Sequence, residues 1–163
     1  MHRVFIGLLF ALAGCSHTYP YLVINDQCMC EHYVVEDPDA SLVYTFLAEY
    51  HIDEGITTRV SITIDNQSTD TLRFSQGYVL VESRNIPYQM NKKSIALDLP
   101  DAPPGTARTL ALDGRWENVD GEDPWLRIAG EELAITIKDL VEGSRKVRTQ
   151  EFRTIPRNPH LAQ

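Results

Sequence analysis

Leu42-Val43-Tyr44-Thr45-Phe46-Leu47-Ala48-Glu49-Tyr50-His51-Ile52 is the stretch on which the fold turns. Leu42, Tyr44, Phe46, Ala48, Tyr50 and Ile52 take alternate positions, and in an extended chain alternate side chains share one face. The pattern predicts a long strand buried on one side. Val60, Ile62 and Ile64 repeat it, and Asn66-Gln67-Ser68-Thr69-Asp70 then supplies turn chemistry before a short strand over 71–74. Tyr78 to Ser83 begins with a continuous apolar run, and Ile95, Leu97 and Leu99 alternate until Pro100 ends the segment. Pro103-Pro104-Gly105 opens a strand carrying Leu110 and Leu112; Leu133, Ile135 and Ile137 form another; a turn at Glu142-Gly143-Ser144 precedes a last strand from Lys146 to Ile155. Strands spaced about ten residues apart, with neither a long helical period nor a βαβ rhythm, predict an all-β fold: a single antiparallel β-sandwich of seven to nine strands.

The chain has 163 residues, room for one domain with its own core. Its formal charge is −8, which argues against a nucleic-acid partner, since phosphate binding needs a basic surface. The charge is uneven. Between Val4 and Thr58 there are eight acids and no Lys or Arg, whereas residues 138–157 hold six basic side chains against Asp139, Glu142 and Glu151. The two ends can attract each other or meet separate partners.

Met1-His2-Arg3 is a short positive region, followed by an apolar run from Val4 to Ala11 and then by Leu12-Ala13-Gly14-Cys15. About ten apolar residues are too few to span ~30 Å of hydrocarbon as a helix, so the segment reads as an export signal. Leu12-Ala13-Gly14-Cys15 resembles the lipobox of bacterial lipoproteins. The resemblance implies removal of a signal peptide at 1–14, lipidation of Cys15, and a membrane anchor made of acyl chains, two or three of which hold durably. Ser16, in place of an aspartate at the second mature position, implies sorting to the outer membrane, facing the periplasm or the surface. The expected organisation continues with a lipidated, acidic tether over 15–39, a sandwich over 40–156 and a tail over 157–163.

A Val60-Ser61-Ile62-Thr63-Ile64 strand, an Asn-containing turn, a short strand and a later Pro104-Gly105 opening a Thr/Leu strand are similar to bacterial immunoglobulin-like domains of envelope proteins. The similarity spans roughly residues 40–155. The Cys…Trp…Cys core of antibody-type domains is missing.

Three constellations are candidate sites. Cys28, Cys30 and His32 lie on one face of an extended chain, and two thiolates with an imidazole suit Cu(I) or Zn(II). A Cys28–Cys30 disulfide or two unpaired thiols remain alternatives, and the spacing is shorter than the usual zinc pattern. Glu49, His51 and Asp53 alternate opposite the apolar set of their strand, on its solvated side. Trp116 lies within the acidic stretch from Asp113 to Asp123 and Trp125 just beyond it, and both are either core plugs or exposed platforms for sugar rings or a protein partner. No G-x-S-x-G, H-E-x-x-H or phosphate-cradling glycine loop is present, so the expected protein is not an enzyme. The reading is a membrane-tethered, non-catalytic envelope protein that binds an envelope protein or polysaccharide. A soft-metal-binding lipoprotein and a carbohydrate-binding module are its alternatives.

Overall fold

The computed structural model describes residues 22–25, 28–37, 39–53, 55–85, 88–90, 94–117, 119 and 123–156. The lipobox-like segment with Cys15, and the tail expected over 157–163, lie outside them. The strands are β1 (Leu22–Asn25), β2 (Cys28–Asp37), β3 (Leu42–Asp53), β4 (Gly55–Asn66), β5 (Leu72–Arg73), β6 (Tyr78–Ser83), β7 (Tyr88–Gln89), β8 (Ser94–Ala96), β9 (Thr106–Trp116), β10 (Leu133–Lys138), β11 (Val141–Glu142), β12 (Arg145–Lys146) and β13 (Gln150–Thr154). One helix, α1 (Pro124–Ile128), starts where the Asp123 carboxylate accepts the Trp125 N–H at 3.1 Å and so caps the first turn. The fold is all-β and antiparallel, as the alternation predicts. The expected seven to nine strands become thirteen among the described residues because β5, β7, β11 and β12 are two-residue pieces.

A large sheet runs β1-β2-β3-β4-β9-β7 and a smaller one β13-β10-β6-β8; β12-β11-β5 forms a third, short sheet. In the large sheet Tyr44 faces Ile64, Phe46 faces Ile62 and Ile62 faces Leu110, so the alternating residues of three strands form one apolar surface. The smaller sheet answers with Val79, Val81, Ile135, Ile137 and Phe152, and both sets join one buried cluster between the layers. Aromatic rings cross the gap. Phe46 stacks on Tyr33 with centroids 4.7 Å apart and on Phe152 at 5.7 Å, and Tyr44 tilts against Phe152 at 5.6 Å.

The tether expected over 15–39 is corrected over residues 28–37, which are β2 and pair with β3 along their whole length, Cys28 opposite His51 through Asp37 opposite Leu42. The inward positions of β2 from residue 31 onward are Glu31, Tyr33, Val35 and Asp37. Two acids in four interrupt the apolar signature, which hides the strand from a hydrophobicity reading. Each inward polar group is spent on β13. The Tyr33 hydroxyl accepts the Arg153 N–H at 3.0 Å and donates to the Arg153 carbonyl at 3.1 Å. Gln150 donates to Asp37 at 2.8 Å, and Thr154 donates to Glu31 at 2.6 Å. β13 is the edge of its sheet, and these side chains occupy backbone and side-chain groups that would otherwise invite another strand.

The two charged segments touch through a backbone oxygen of the acidic one. Arg145 donates to the Asp39 carbonyl and, at 2.6 Å, to the Glu142 carboxylate.

Two buried tyrosines on β3 differ sharply. Tyr50 lies 2.6 Å from the Thr154 hydroxyl; since Thr154 gives its proton to Glu31, Tyr50 is the donor. The Tyr44 hydroxyl is buried and has no hydrogen-bond partner among the described residues. Tyr50→Phe is expected to cost about 1 kcal/mol in urea denaturation, whereas Tyr44→Phe is expected to be neutral or to stabilise by up to about 1 kcal/mol. A loss of more than ~1 kcal/mol in Tyr44→Phe would contradict the orphaned hydroxyl.

Candidate functional site

On β3, β4 and β9 the residues not used for the core point outward, and the antiparallel register aligns them in rows across the large sheet. One row runs Gln89–Arg115–Thr57–His51, with Cys28 continuing it on β2. The next runs Asp113–Arg59–Glu49–Cys30. His51, Thr57, Arg59, Gln89, Asp113 and Arg115, with Met90 and the backbone of Thr58 and Gly114, line an open trough of about 770 Å³.

Its charges are not equivalent. Arg59 Nε donates to Asp113 at 2.7 Å, and that hydrogen bond raises its pKa above the ordinary arginine value. Both side chains are more than half exposed, so the pair orients the trough floor without adding much stability. Arg115 lies against the backbone of Gly55 at the β3–β4 turn. A methyl group on Gly55 would sit 2.7 Å from its Nη2 and 3.0 Å from its Nε, and the φ of +119° there is glycine territory.

The trough rests on a second glycine. Tyr88 on the edge strand β7 lays its ring across Gly114, where an added methyl would come 2.2 Å from Cζ, and its hydroxyl donates to the Thr58 carbonyl at 3.1 Å. Burial pushes the Tyr88 pKa up, with the nearby Asp113 carboxylate adding to the effect. Trp116 stands edge-on to Tyr88 at 5.2 Å and donates from Nε1 to the Thr58 hydroxyl at 2.8 Å.

Trp116 and Trp125 are each 1% exposed, which corrects their reading as platforms: neither offers a face to a sugar ring or a partner. Trp116 is inward because it continues the Leu110, Leu112 parity of β9, and its one polar atom finds Thr58 inside. Trp125 is carried inward on α1. Cys30 and His32 fall on the outward side of β2; the side chains of Cys28 and Asp53 lie outside what is described. Among the described residues no three of His, Cys, Asp or Glu converge on a point that a metal ion could occupy. The structure instead brings Cys30 opposite Glu49, so that the β2 candidates and the Glu49–His51 row occupy one face of the sheet. Arg59, Gln89 and Arg115 were not singled out in the sequence, and Asp113 only as part of an acidic stretch, because the pairing of β4 with β9 and of β9 with β7 that assembles them is non-local.

Among the described residues no helix is long and apolar enough to cross a membrane. Compared with known protein families the chain matches none, and no curated protein has significant sequence similarity to it.

Proposed function

We propose that the chain is a lipid-anchored protein of a bacterial cell envelope, whose immunoglobulin-like sandwich binds another envelope component without catalysing a reaction. The observation that carries the proposal is Leu12-Ala13-Gly14-Cys15 directly after a short apolar run, the order in which a lipidated cysteine follows an export signal. The strand order supports the immunoglobulin-like part. β3-β4-β9 facing β13-β10-β6 corresponds to strands A-B-E facing G-F-C in that architecture, with β1 and β2 added beyond A. The polar rows on the outward face of the large sheet support recognition: they present donors and acceptors on a rigid surface.

Mass spectrometry of the protein extracted from bacterial membranes is the test. The expected product begins at Cys15, carries acyl chains and partitions into detergent, and Cys15→Ala stays uncleaved and unacylated. An unmodified, uncleaved wild-type N-terminus would overturn the proposal.

A further inference from the structure

We infer that the trough on the outer face of the large sheet grips the free carboxylate at the C-terminus of a peptide, with the Arg115 guanidinium as the gripping group. The inference rests on the reading of the domain as a recognition module and names where and what it holds.

Arg115 carries the argument. Its neighbour Arg59 is already committed to Asp113, but among the described residues no carboxylate or carbonyl takes up Arg115. The side chain is nevertheless placed, resting on Gly55, so less rotamer freedom is lost when a ligand binds than for an arginine trailing in solvent. A guanidinium presents a planar fork of N–H groups whose spacing matches the two oxygens of a carboxylate.

The surrounding row selects among anions. Gln89 and Thr57 stand opposite Arg115 on either side, and His51 stands beyond Thr57. At one strand spacing per step the row from Gln89 to His51 is about 14 Å long, the length of about four extended residues. Gln89 and Thr57 both donate and accept, as a peptide backbone requires, and Met90 adds an apolar wall for a side chain. A phosphate dianion fits less well, because Asp113 lines the same trough and Glu49 sits across from Arg59. A sugar chain would want an aromatic platform, and both tryptophans are in the core.

The purified full chain in detergent, titrated while the arginine Nε–Hε resonances are followed by NMR, tests the assignment. The probe is acetyl-trialanine with a free carboxylate, compared with its C-terminal amide and with inorganic phosphate. The free acid is expected to shift the Arg115 resonance to saturation, and the amide to bind at least tenfold more weakly. Arg115→Gln should lose at least tenfold in affinity with an unchanged melting temperature. Arg115→Lys, which keeps the charge but not the fork, should recover only part of that loss. Asp113→Asn, which releases Arg59, should strengthen binding severalfold at low salt. Equal binding of acid and amide, an unaffected Arg115→Gln variant, or phosphate binding more tightly than the peptide would each overturn the inference. None of those results would alter the outcome of the lipidation experiment, so the two readings fail separately.

Discussion

Phe46→Ala is expected to lower the free energy of unfolding by about 3–5 kcal/mol, which for a domain stabilised by some 5–15 kcal/mol removes a third or more of the total. Phe46 is fully buried on β3 and stacks on Tyr33 of β2 and Phe152 of β13, so one ring joins an outer strand of the large sheet to the edge strand of the other. Removing it costs the transfer free energy of the ring and leaves a cavity that three rigid strands cannot close. Guanidinium denaturation followed by circular dichroism measures the loss. Leu126→Ser is the control: Leu126 is 61% exposed, and its replacement should change stability by no more than about 0.5 kcal/mol. A Phe46→Ala loss below ~1.5 kcal/mol would mean that the ring stack is not a joint of the sandwich.

The second large effect is alkaline. Tyr33, Tyr44 and Tyr88 all have pKa values pushed well above the ordinary value of 10.0, in each case chiefly because burial disfavours the phenolate. Nearby carboxylates add to the shift: Glu31 for Tyr33, Asp37 and Glu142 for Tyr44, and Asp113 for Tyr88. In the unfolded chain these phenols ionise near pH 10, while in the folded chain they hold their protons. The unfolded state therefore releases protons first, and stability that is fully present below about pH 10 falls as pH rises toward the folded-state values. Each group withdraws about 1.4 kcal/mol per pH unit, so the three together give a slope approaching 4 kcal/mol per unit. Denaturant melts between about pH 9 and pH 12 should show that slope, with tyrosinate absorbance rising together with unfolding. Tyr44→Phe should reduce the slope by about a third. Early tyrosinate absorbance in a still-folded chain would show that the phenols are reached by water.

The elements legible in the sequence were those with runs of apolar residues at alternate inward positions. On β3 and β10, and on β4 from Val60 to Ile64, the alternation is uninterrupted, and the period of two is a local property that any extended chain displays. β2 was obscured because Glu31 and Asp37 sit among its inward residues. Their partners, Thr154 and Gln150, lie 123 and 113 residues further along the chain, where no local pattern connects them. The tryptophans illustrate the same limit: composition offers both a buried and an exposed role, and only Thr58, 58 residues from Trp116, decides for the interior.

From its order of residues alone, then, this chain is committed to extended antiparallel layers, to a net negative charge and to a short apolar run that ends in a lipobox-like Leu12-Ala13-Gly14-Cys15, because periodicity, net charge and a contiguous motif need no partner in space to exist. Which strands lie side by side was decided in three dimensions. The pairing of β4 with β9, and of β9 with β7, lines Gln89, Arg115, Thr57 and His51 into one row, and a hydrogen-bonded register between segments tens of residues apart is a property of the packed sheet and not of any window of the chain.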